Sequence, residues 1–145
     1  MPRISTKLVN LLKRMRVTSA KIEDSKIIVH LEHVPLPISK LKVVRSEDQV
    51  GSWFKERDKN IIRIDDDVKR KHWILSLCVH EVLEKWIYET FFSRFPVNEV
   101  YPCPIHTIAE EIERKWFISR FGAKEWREYN RNVDIIHLKE SLTYE

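Results

Sequence analysis

The spacing of apolar and polar residues changes its period once along this chain, near Val68. Before that point the pattern is that of strands. "VTSAKIEDSKIIVHLEHV", residues 17–34, alternates on both sides of Asp24-Ser25 and predicts a β-hairpin. Pro35 and Pro37 interrupt it, and "KLKVV" at 40–44 resumes as a strand. "VGSWFKERDKNIIRIDDD" reads as a second hairpin turning near Asp58 to Asn60. From Val68 the period is 3.6. One long helix runs to about Phe92, the loop "RFPVNEVYPCP" follows, and a second helix starts near Pro104 and stops at Gly122. "AKEWREYNRN" predicts a third helix, whereas the tail "VDIIHLKESLTYE" fits strand and helix equally. At the other end, "ISTKLVNLLKRM" puts Ile4, Leu8, Leu11, Leu12 and Met15 on one face of a helix capped by Ser5 or Thr6, expected to cover a sheet. There is no repeat, low-complexity stretch or linker. The expected architecture is one α+β domain over residues 1–145: a small, mostly antiparallel sheet packed on helices, with an N-terminal amphipathic helix and a C-terminal helix or tail.

Composition narrows the class. A hydrophobic content of 43% with five Trp and six Phe predicts a packed core. The net charge of +4 is spread along the chain. Its longest basic run, "VKRKHW" at 68–73, reads as a solvated helix start and supports a nucleic-acid partner only weakly. No apolar run approaches the roughly 18 residues of a membrane span, and the N-terminus lacks a signal-peptide core. These features predict a cytoplasmic chain with no membrane segment. Two cysteines, Cys78 and Cys103, are too few for a disulfide framework.

The long helix carries charges where a core is expected. On a wheel of about 100° per residue, one stripe reads Trp73, Leu77, His80, Glu84, Ile87 and Phe91. His80 and Glu84 stand one turn apart in its middle, and Glu81 flanks them. The second helix repeats the arrangement: His106 and Glu110, also one turn apart, share a stripe with Phe117 and Phe121, beside Ile105, Ala109, Ile112 and Trp116. Each helix therefore offers a His and a Glu inward. Imidazole and carboxylate are zinc ligands, and an i, i+4 pair is a way to grip one ion. A buried His80–Glu84 ion pair without metal accounts for the same spacing. Cys78 points about 160° away from His80 on this wheel, which excludes a structural zinc site of Cys78, His80, Cys103 and His106 and leaves Cys78 as a packing residue. His30, His33, His72 and His137 read as surface or hairpin residues.

The order hairpin, short acidic stretch, helix with "LCVHEVLEKW", loop, and second helix with "HTIAEEIE" resembles a minimal zinc metallopeptidase of the zincin type. It is similar to the archaeal minigluzincins and to phage and viral metallopeptidases. The resemblance covers roughly residues 49–121, with HExxE where most members have HExxH. It implies zinc as cofactor, a zincin-like metal-binding helix and a peptide or protein substrate. It assigns His80 and Glu84 as metal ligands and Glu81 as the general base that activates zinc-bound water. The third ligand would come from the second helix: His106, or Glu110 as either ligand or orienting partner. Zincins align an extended peptide along an edge strand, which would here include Gly51, Ser52, Trp53 and Phe54. No oxyanion donor stands out in the sequence; a Tyr or His could serve, with Tyr88 and His137 as candidates. The alternative to peptide hydrolysis is a catalytically inactive, metal-stabilised module that binds nucleic acid or protein.

Overall fold

Asp24 and Ser25 both take left-handed backbone conformations, φ 51° and 63°. That is the geometry of a two-residue hairpin turn whose twist matches the flanking strands. In a computed structural model of the chain, which describes residues 4–46, 51–52 and 61–143, this turn joins β1 (Val17–Glu23) to β2 (Lys26–Leu31) with Glu23 opposite Lys26. Alternation decides which face is buried: Ile27, Val29 and Leu31 point into the core. Strand β3 (Ser39–Ser46) pairs antiparallel with β2 and parallel with β5 (Ile61–Asp65). The two-residue β4 (Gly51–Ser52) pairs antiparallel with the outer side of β5. The sheet order is β1-β2-β3-β5-β4, so the sheet is mostly antiparallel, as expected, with one parallel pair because β4 lies at the edge and β5 returns between β4 and β3.

Two devices set the entry to the helical half. Asp65 Oδ1 accepts the Asp67 backbone N–H at 2.8 Å, and the Arg45 guanidinium donates to the carbonyls of Asp65 (2.9 Å) and Val68 (2.6 Å). Helix α2 (Lys71–Ile87) follows, then a wider π-turn over Tyr88–Phe92. It is the central element, touching the sheet on one side and α4 (Ile105–Phe121) on the other. That position buries Cys78, Val79, Val82, Leu83 and Ile87 completely. The segment expected as plain loop contains the one-turn helix α3 (Val97–Val100).

Helix α1 (Thr6–Lys13) starts at Ser5, whose Oγ accepts the Leu8 N–H at 3.2 Å. It packs on α4 rather than on the sheet: Leu12 is buried, and the Lys13 carbonyl accepts from Lys115 Nζ at 2.6 Å. Gly122, at φ +92°, ends α4 in a conformation that L side chains seldom adopt. Helix α5 (Ala123–Thr143) then absorbs the ambiguous tail. Trp126, Tyr129, Val133 and Ile136 recur at helical spacing and turn towards the core, with Tyr129 and Ile136 fully buried.

The start of α5 is tied to the start of α2 through Glu125. Its Oε1 accepts from His72 Nε2 (2.6 Å), Arg70 Nη1 (2.8 Å) and Trp73 Nε1 (2.9 Å). The bond from His72, with those from Arg70 and Trp73, outweighs burial and holds Glu125 below its ordinary pKa. A carboxylate with a depressed folded pKa adds stability that is present above its unfolded value and lost as pH falls through the folded one. Glu125→Gln should therefore melt below wild type near neutral pH, with the gap closing as pH falls below about 4. A gap in melting temperature that stays constant down to about pH 3 would exclude ionised Glu125 as the stabilising species.

Candidate metal centre

Helix α2 presents His80 and Glu84 to the facing side of α4, and α4 answers with His106 from its first turn. Three atoms converge. His80 Nε2 lies 3.0 Å from Glu84 Oε2 and 3.1 Å from His106 Nδ1, and His106 Nδ1 lies 3.0 Å from the same Glu84 oxygen. The outer nitrogen of each ring faces a carboxylate, which can only accept. His80 Nδ1–H donates to Glu113 Oε1 at 2.9 Å, and His106 Nε2 lies within ion-pair distance of Glu110 Oε2, 3.0 Å away. When the His80 imidazole is neutral, its inner nitrogen is therefore a bare lone pair facing the others.

A triangle of two imine nitrogens and a carboxylate oxygen needs a positive charge at its centre. A single proton lies along one edge and leaves the other edges as opposed lone pairs. Ligand atoms around a tetrahedral ion at about 2.0–2.1 Å stand roughly 3.3 Å apart, close to the 3.0–3.1 Å edges here. A second observation agrees: Glu84 Oε1 is buried with no hydrogen-bond partner among the described residues. His80, Glu84 and His106 could thus hold a metal ion. Glu84 is fully buried and the His80 side chain is 10% exposed, whereas His106 is 41% exposed, so the centre opens to solvent on the α4 side.

Burial alone would depress His80, but the charges of Glu84 and Glu113 outweigh it and hold the imidazole well above its ordinary pKa. Burial likewise pushes Glu84 upward, while His80 and His106 draw it below the carboxylate range. Glu81, one residue from His80, is 4% exposed. Burial, and after it the charge of Glu84, raises its carboxyl well above the ordinary value.

Beside the triangle lies a cavity of about 220 Å³, and Glu81, Tyr101, His106 and Glu110 line it together with Asp134 and His137 of α5. The Tyr101 phenol stays protonated, raised first by burial and then by the charges of Glu84 and Glu81. Of the two residues expected to face an oxyanion, His137 lies on this cavity, whereas the Tyr88 hydroxyl donates to the Phe95 carbonyl at 2.8 Å. Gly51 and Ser52 form the edge strand β4, and Trp53 and Phe54 lie outside the described residues. Cys78 is fully buried away from the triangle, where burial raises its thiol pKa, and Cys103 is exposed.

Residues not anticipated from the sequence complete the centre. Glu113 Oε2 accepts from Ser76 Oγ (2.5 Å) and Tyr129 OH (2.7 Å) while Oε1 holds His80. Ser76 sits one turn before His80 and Glu113 two turns after His106, so both fall on the stripes that carry the ligands, and helical spacing alone could have found them. Tyr129 carried no such signal, since it reaches the site only through the docking of α5. No protein-family model matches the chain, nor does any curated protein or any solved structure. No described helix is long and apolar enough to cross a membrane.

Calorimetric titration with a divalent transition-metal ion should give one site per chain, abolished in His80→Ala and Glu84→Ala. Glu110→Ala removes a partner of a ligand rather than a ligand, so affinity should fall only by about tenfold. Equal loss in Glu110→Ala and His106→Ala would make Glu110 a ligand in its own right.

Proposed function

We propose that the chain is a zinc-dependent hydrolase of peptide bonds, with His80, Glu84 and His106 holding the ion and Glu81 as general base. The observation that carries this reading is the position of Glu81: a buried carboxyl on the wall of a cavity that also exposes His106, next to a three-donor triangle. Two imidazoles and one carboxylate are the donor set of catalytic zinc sites that keep a position open. The ion, when bound, supplies Lewis acidity that polarises a carbonyl and activates water near neutral pH.

The protein's own groups do the remainder. Glu81 is raised by its surroundings, and a neighbouring cation brings its pKa back down. It is thus poised to accept a proton from the attacking water and pass it to the leaving amine. Tyr101, kept protonated on the same cavity, can donate to the carbonyl oxygen as charge builds there. An extended substrate would pair its backbone with the outer edge of β4, the last strand in the sheet order and one that contacts α2.

Glu81→Gln keeps the size of the side chain and cannot take up a proton. It should retain zinc and melting temperature while losing about 10²-fold or more of peptide hydrolysis. Unchanged turnover in Glu81→Gln would remove it as the base. Bound zinc with no turnover in wild type, across varied peptides, would favour a metal-stabilised binding module.

A further inference from the structure

Glu113 divides its two oxygens between functions. Oε1 takes the Nδ1–H of His80, and Oε2 takes the hydroxyls of Ser76 and Tyr129. The terminal torsion of a glutamate is broad and only weakly held by its own rotamer preference. The plane of this carboxylate, and with it the angle of the His80 ring, is therefore set by what Oε2 accepts. Ser76 belongs to the same helix as His80. Tyr129 belongs to α5, and its placement is rigid: the ring stacks on Phe117 at 5.2 Å and 16°, lies 5.4 Å from Trp126 and 6.3 Å from Trp73, and is 3% exposed. One and two turns further on, α5 lends Val133, Asp134 and His137 to the wall of the cavity.

We propose that Tyr129 is a positioning residue of the metal centre, so that docking of α5 and binding of the ion reinforce each other. This rests on the metal-binding part of the proposed function and not on hydrolysis. The hydroxyl of Tyr129 fixes Glu113, Glu113 fixes His80, and His80 meets the ion only when its ring is correctly turned. Coupling of this kind is reciprocal, so a bound ion must also hold α5 in place. Burial, and after it the charge of Glu113, keep the phenol an O–H donor, consistent with this role.

The test uses the full chain, with zinc affinity measured by competition against a chromophoric chelator and exchange of α5 amides followed by mass spectrometry. Glu113→Gln should weaken zinc binding by about 10- to 100-fold. Tyr129→Phe keeps the stacked ring and should weaken it by about fivefold or more, as should Ser76→Ala, which leaves α5 untouched. Trp126→Phe loosens a ring that packs on Tyr129 without reaching Glu113, and should weaken zinc binding by less than Tyr129→Phe does. Zinc should slow exchange along α5 in wild type and much less in Tyr129→Phe. Wild-type affinity in Tyr129→Phe, or α5 exchange indifferent to zinc in wild type, would overturn the role of Tyr129 while leaving the metal site standing. Failure of the wild-type chain to bind zinc would overturn the metal reading and this inference with it.

Discussion

The buried carboxylate of Glu113 and the three donors that surround it hold the helical half of the molecule together. An ionised carboxylate taken out of water without partners costs several kcal/mol, so wherever Glu113 is buried its donors must follow. They come from two other helices: Ser76 and His80 from α2 and Tyr129 from α5. The contact of α2 with α4 and the docking of α5 on both are thus fixed in register as well as in area. Apolar packing alone, through Phe117, Trp126 and Ile136, would bring these helices together without choosing one rotation.

The same carboxylate explains why the middle of α2 is polar at all. Val79, Val82 and Leu83 show that the helix is buried on nearly every side, yet His80, Glu81 and Glu84 sit among them at 8% exposure or less. Well-packed apolar residues in place of a buried ionic group are often neutral or stabilising. Breaks of the local rule without a stabilising return are where functional or strained sites are to be sought. Here the breach is organised: His80 Nδ1–H donates to Glu113, and His80 Nε2 and His106 Nδ1 both turn towards the single oxygen of Glu84 that they share. Glu125 repeats the device one turn earlier on α5, gathering His72, Arg70 and Trp73. There the partly exposed setting makes it an anchor and not a site.

Much of this is legible in the sequence. The hairpin at Asp24-Ser25, the helix ending at Gly122 and the inward stripes of α2 and α4 follow from period, turn chemistry and a glycine stop, all of which act within a few residues. His80, Glu84 and His106 are readable for the same reason: each pair of helical neighbours is decided by a rotation of about 100° per residue. Ser76 and Glu113 were present on those stripes but looked like ordinary polar positions, because a satisfied second partner has no signature until its first partner is placed.

What the chain's own pattern determined, then, is which face of each element is apolar and which ionisable groups interrupt it. Tertiary structure alone decided the parallel pairing of β3 with β5, the seat of α1 on α4 instead of the sheet, and the arrival of Tyr129 at Glu113. Those outcomes depend on contacts between residues far apart in sequence, where competing arrangements bury similar apolar area. The tail after Asn132 is the clearest case: "VDIIHL" suits a strand or a helix locally. Only the groove over α2 and α4, which accepts Tyr129, Val133 and Ile136 at helical spacing, selects between them.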